Sequence, residues 1–179
     1  MVSECYFGPS ETPGFKSWNR AIGSHATRHN QFYHDIFIYR NTFHQTQDFA
    51  LTPFKAHSLY IMDNHFLNCA GGVRFLGTKD DKNTADVLTG QRMGAQGGRE
   101  LYIINNQFEG PMTKDAIHIR GYYNTQHKDV LIAENQFDTS QTLTLHDIDG
   151  LYLDQPELKP AQIKRRNLSH IYQSPTLKS

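Results

Sequence analysis

Three short stretches of the chain interleave apolar residues with side chains that can bind or titrate. They read Val73-Arg74-Phe75, Ile117-His118-Ile119-Arg120 and Leu143-Thr144-Leu145-His146. If the apolar members point inward, period-two alternation sends Arg74, His118 and Thr144 outward in one column, and Arg120 with His146 in the next. Arginine offers a planar fork of donors, and imidazole titrates near neutrality. Arg74, Arg120 and His146 are therefore candidate binders of a hydroxyl-rich or anionic ligand. Carboxylates lie beside them. Hydrolysis of a glycosidic bond needs two, one of them protonated, roughly 5–10 Å apart. Asp115 and Asp147 flank successive stretches, with His118 between them, so these three are the candidate catalytic groups. Abstraction of a proton α to a uronate carboxylate would instead use a base and a cation, which His118 with Arg74 or Arg120 would supply. The same residues fit a plainer pattern too: polar side chains alternating on a solvated face, with Asp marking turns.

No metal or other cofactor is expected. The chain has ten histidines, and His25 and His29 stand at i, i+4. No helical pattern surrounds them, however, and no Glu lies between them as a zinc-protease motif requires. Cys5 and Cys69 make no disulfide framework and match no zinc spacing.

An internal repeat would position the three stretches. The triplet Asn-x-Phe occurs at Asn30, Asn41, Asn64, Asn106 and Asn135, where fewer than one copy is expected by chance. The last four copies share a frame with apolar residues at positions one and three, Asn at six and Phe at eight. The frames are Ile36–Phe43, Leu59–Phe66, Leu101–Phe108 and Val130–Phe137. A weaker copy starts at Leu151. Starts are 23, 42, 29 and 21 residues apart. Units of this length with two or three short strands are coils of a β-solenoid, since one coil cannot bury its own inner face. Stacking would make apolar columns, an aromatic column of Phe43, Phe66, Phe108 and Phe137, and a ladder of Asn amides. Asn also tolerates left-handed backbone at the corners.

The four frames, with Ala116-Ile117-His118-Ile119-Arg120-Gly121, resemble the right-handed parallel β-helix repeats of carbohydrate-active proteins. The likeness runs over about residues 34–158 and is greatest to the distal half of α-1,3-galactosidase-B-type glycosidases. It implies an all-β, single-stranded right-handed parallel β-helix of about five coils. It also implies hydrolysis of a polysaccharide or oligosaccharide by paired Asp carboxylates, with a polysaccharide lyase or a non-catalytic structural or glycan-binding module as alternatives. Asp80 and Asp81 are adjacent but fall in an insertion rather than on a strand. The expected organisation is an irregular segment or partial first coil at 1–32, the β-helix at 33–158 with an inserted loop at 78–98, and a cap or tail at 159–179.

Two further columns flank this frame. Phe37, Tyr60, Tyr102, Leu131 and Tyr152 point outward from the first strand, as sugar-stacking rings or as pairs that stiffen a sheet. His34, His57, Arg99 and Lys128 precede them and read as side-chain pairing of mixed sign. Net charge is zero, which excludes a strongly basic nucleic-acid binder. No apolar run reaches the ~20 residues that cross a bilayer. Met1–Cys5 has no signal-peptide pattern. The expectation is either a cytoplasmic chain or a piece of a longer one, extracellular or periplasmic in the second case, with the rest of that chain as a partner.

Overall fold

The structure, a computed structural model, describes residues 1–9, 20–23, 33–53, 56–77, 97–121 and 125–173. The inserted loop lies outside them apart from Gly97 and Gly98, and so do Asp80, Asp81, His25 and His29. The strands in chain order are β1 (Val2–Ser3), β2 (Tyr6–Phe7), β3 (Ile22–Gly23), β4 (Tyr33–Tyr39), β5 (Thr42–His44), β6 (Phe49–Thr52), β7 (Ala56–Met62) and β8 (His65–Leu67). They continue as β9 (Gly71–Leu76), β10 (Arg99–Ile104), β11 (Gln107–Glu109), β12 (Ile117–Arg120), β13 (His127–Ala133), β14 (Gln136–Phe137), β15 (Leu143–Asp154) and β16 (Ile163–Gln173). A single 3-10 turn, Pro160–Gln162, is the only helical element among the described residues.

Every strand pairing among them is parallel. An eleven-stranded sheet curls round the core, and a second sheet of five short strands closes against it. The protein is thus all-β, and the arrangement is compatible with a parallel β-helix or solenoid. The expected register is present. Ile36, Leu59, Leu101, Val130 and Leu151 form one row, and Ile38, Ile61, Ile103, Ile132 and Leu153 the next but one. The large sheet curls because β15 serves two faces. Its first half pairs with β12 and its second half with β13. Between them Asp147 and Gly150 take left-handed φ of 58° and 81°. Gly121 is needed for a different reason: a Cβ there would lie 2.0 Å from the Thr125 carbonyl oxygen.

The Phe column is one interior file. Phe7, Phe43, Phe66, Phe108 and Phe137 stack at 5.1, 5.0, 4.7 and 5.0 Å between ring centres. At about 25 cal/mol/Å² over roughly 150 Å², each buried ring contributes on the order of 4 kcal/mol before entropy. These Phe residues belong to the short-stranded sheet.

Beside it runs the Asn ladder. Nδ2 of Asn41, Asn64 and Asn106 each donates to Oδ1 of the next Asn at 3.0, 3.0 and 2.9 Å. Each also donates to a carbonyl of its own rung and to one of the rung before. The left-handed corner falls one residue earlier than expected. Arg40, Asp63, Asn105 and Glu134 carry φ of 54°, 55°, 52° and 57°, and the Asn side chains are free to turn inward.

The N-terminal residues add short strands to the stack: β1 pairs with β4, β2 with β5, and β3 with β6. The stretch expected as a cap or tail contains β16, eleven residues that pair with β15 along both of its halves. Among the described residues β16 has no strand on its other edge.

His127 ties the two halves of a rung together. The Gly98 N–H donates to its Nδ1 at 2.9 Å, so Nε2 carries the proton and donates to the Arg120 carbonyl at 3.0 Å. Burial pushes this imidazole down to about 4 from an ordinary 6.5.

Two outcomes are expected. Asn106→Ala strips the acceptor from the Asn64 backbone N–H and amide, and the donor from three oxygens. At about 1–3 kcal/mol per orphaned buried group, with partial relaxation, it should cost roughly 3–5 kcal/mol in urea unfolding. Gln107→Ala, on the exposed position next door, should stay within about 0.5 kcal/mol. Equal midpoints would deny the ladder its role. The second concerns pH. The unfolded chain binds the His127 proton more readily than the fold does. That stabilisation is therefore full above about pH 6.5 and is lost as pH falls towards 4, by roughly 3 kcal/mol. His57, lowered to about 4 by burial and then by the Arg99 charge, slopes the same way. His127→Gln should flatten the fall of the urea midpoint between pH 6.5 and 4.

Candidate functional site

The second-strand face is carried by β6, β9, β12 and the first halves of β15 and β16. Its inward side chains, Leu51, Val73, Phe75, Ile117, Ile119, Leu143 and Leu145, are buried in the core. That burial fixes which side chains must point out. Arg74, His118, Thr144 and Lys164 form one column, and Leu76, Arg120, His146 and Arg166 the next but one. The expected columns are thus in register, each extended by one member from β16.

Asp115 and His118 come together at the start of these strands. His118 Nδ1 lies 2.8 Å from Asp115 Oδ2, and the Thr142 hydroxyl donates to Oδ1 at 2.5 Å. Lys164 Nζ donates to the same oxygen at 3.2 Å. Burial alone would raise Asp115, but the bonds from His118, Thr142, Thr144 and Lys164 hold it well below the ordinary carboxylate range. A carboxylate on Nδ1 fixes the His118 tautomer and leaves Nε2 as the open nitrogen.

Arg74 leans the other way, towards Asp48. Its guanidinium carbon sits 5.0 Å from the centre of the Phe49 ring, and Nη2 is 3.6 Å from Asp48 Oδ2. Arg20 and Lys114 hold the same carboxylate at 3.3 and 2.5 Å. Burial works to raise Asp48. The Lys114 bond, the Phe49 backbone and the charges of Arg74 and Lys114 outweigh it and bring Asp48 down to about 2. Phe49 also meets the His118 ring edge-on at 5.8 Å. Arg74 Nε is buried with no hydrogen-bond partner, a donor held away from water.

Asp147 does not join this group. It lies beyond His146, at the bend of β15, bound by Arg166 Nη2 at 3.2 Å and Asn167 Nδ2 at 3.0 Å. Asp115 lies before Ile117, at the other end of the paired strands. The two carboxylates share no hydrogen-bond partner among the described residues: Asp115 is held by His118, Thr142 and Lys164, and Asp147 by Arg166 and Asn167. Their separation follows from register. Asp115 opens its strand, whereas Asp147 closes its own. His146 is pushed towards its neutral form by burial and then by the Arg166 charge, and its Nδ1 is buried without a partner.

No protein-family model, no curated protein and no solved structure matches this chain. The functional reading therefore comes from the site's own chemistry.

Among the described residues, six permanent cations stand on this face (Arg20, Arg74, Lys114, Arg120, Lys164, Arg166) against three carboxylates (Asp48, Asp115, Asp147). The chain as a whole is neutral, whereas the described residues of this face carry more cations than carboxylates. Arg120 is exposed and has no ion pair among the described residues. No group of three or more His, Cys, Asp or Glu side chains that could hold a metal ion occurs among the described residues.

Asp48, Phe49, Lys114, Thr142 and Lys164 were not singled out from sequence. Aligning the residues three places before Leu51 and Ile117 would have brought Asp48 and Lys114 to one corner. Lys164 was hidden because Arg165 occupies the slot that Leu145 fills one rung earlier.

The stability supplied by Asp48 and Asp115 is full above about pH 4 and falls as pH drops further, because the fold holds both carboxylates ionised. Asp115→Asn should lower stability at pH 7 by about 1–3 kcal/mol. It should also flatten the loss of far-ultraviolet circular dichroism between pH 4 and 2. An unchanged acid limb would mean that Asp115 is not held by its neighbours.

Proposed function

We propose that the chain is part of a right-handed, single-stranded parallel β-helix of about five coils that binds an acidic polysaccharide or oligosaccharide along its second-strand face. The right hand follows from the strong chirality of parallel crossover connections. The observation that carries the ligand class is the excess of cations over carboxylates on the described part of one face of a neutral chain, with Arg120 exposed and without an ion pair among the described residues. Arginine forks suit the carboxylates of uronate residues, and repeated rungs place cations at regular intervals along a repeating polymer. The broad positive field of a nucleic-acid binder is missing.

The Asp115–His118 contact favours a second, catalytic reading. His118 Nε2 would remove the proton α to a uronate carboxylate held by Arg74 or Arg120. The electron pair would then form the double bond as the glycosidic C–O bond breaks, and the leaving oxygen takes up a proton from solvent. Glycoside hydrolysis is less supported, since Asp48 and Asp115 are held ionised and neither is a general acid.

Titration calorimetry with polygalacturonate, alginate and a neutral galactan tests the binding reading. Acidic polymers should bind, weaken with salt, and lose at least tenfold in affinity to the Arg74→Ala/Arg120→Ala protein. Equal binding of the neutral polymer, or none at all, overturns it. An unsaturated uronate product that disappears with His118→Ala would favour the lyase, and release of reducing ends from α-galactosides the hydrolase.

A further inference from the structure

In the outward column of the first strands three rings stack, and the stack stops at Leu131. Phe37 and Tyr60 stack at 4.5 Å with 3° between planes, and Tyr60 and Tyr102 at 4.7 Å with 6°. The next position in register is Leu131, and the one after it is Tyr152. Tyr102 and Tyr152 are thus two rungs apart, about 9.5 Å, the separation at which one further ring fits between them. Leucine ends well short of a phenol ring, so the missing ring leaves a notch with an apolar floor. The notch has a volume of about 420 Å³, bordered by Tyr102, Asp129, Leu131, Gly150, Tyr152 and Tyr172.

Its rim is polar. Asp129 is exposed, and its carboxylate has no hydrogen bond or ion pair among the described residues. In the same column the earlier pair, Ser58 and Glu100, is hydrogen-bonded. Asp129 has no such partner because Gly150 stands beside it, with a φ of 81° and no side chain to offer. Burial, then Tyr60 and the carboxylates of Glu100 and Asp129, raise the Tyr102 phenol above its ordinary value.

We infer that Tyr102, Leu131 and Tyr152 form a one-ring slot that binds a single pyranose, its two apolar faces sandwiched by the tyrosines and its edge hydroxyls donating to Asp129. An apolar-faced ring with donors round its rim fits walls of phenol and a rim of carboxylate. A bare aromatic ring would satisfy the walls and leave the carboxylate unused. The slot lies on a different face from the cationic columns and takes a neutral sugar, so it stands or falls apart from the acidic-polymer reading.

The test titrates the full chain with neutral methyl pyranosides and follows the tyrosine ring resonances by NMR. Leu131→Tyr restores the missing ring, so its urea midpoint should match or exceed that of the parent. Its affinity for the pyranoside should fall at least tenfold. Asp129→Asn should weaken binding several-fold, and Arg74→Ala/Arg120→Ala should leave it unchanged. Three results would overturn the inference: no pyranoside shifts the Tyr102 and Tyr152 resonances, the shifts persist in Leu131→Tyr, or p-cresol binds in preference to every sugar.

Discussion

In-register parallel stacking is the constraint from which the rest follows. Each slot of a rung lies about 4.8 Å from the same slot of the next, so a side chain must above all be compatible with its own kind. Phenylalanine satisfies this by offset stacking. Asparagine satisfies it through a carbonyl and an amide that interlock along the ladder and leave no buried group of the column unpaired. Charges do not satisfy it, because like charges in one column repel. On the second-strand face the chain eases this with neutral spacers. Thr144 separates His118 from Lys164, and His146, driven towards neutrality, separates Arg120 from Arg166. Corner carboxylates then take up the remaining charge from the side, as Asp48 and Asp115 do.

The same constraint explains what could be read from the sequence. Columns of identical residues, such as the Asn-x-Phe triplets and the Ile rows, are visible because stacking demands identity. The outward columns of Arg74, His118, Arg120 and His146 followed once the inward rows were set. Features that depend on one rung differing from its neighbours were hidden. β16 carries Arg165 in a core slot because nothing described is stacked beyond it, so its apolar alternation breaks. The left-handed corner residues are Arg, Asp, Asn and Glu, with no shared type to betray the geometry. The distance between Asp115 and Asp147 depends on which end of a strand each occupies, and spacing along the chain does not report that.

Two outward faces with unlike chemistry result, joined by the bend within β15. One is cationic, with donors suited to charged groups. The other is aromatic and interrupted at a single rung. Interruptions of a regular ladder are where such a scaffold has freedom to acquire a site, since the paired strands on either side already hold the backbone in place. Leu131 is of this kind: it breaks the aromatic pattern of its column at no cost to the core behind it.

β16 has a further consequence. An eleven-residue strand with one bare edge is a ready template on which another extended chain could polymerise. Lys164, Arg165 and Arg166 sit side by side on that edge, and an incoming strand of like sequence, aligned in register, would have to set three positive charges directly against them. The basic run thus disfavours in-register pairing of two copies through the edge that β16 leaves bare among the described residues.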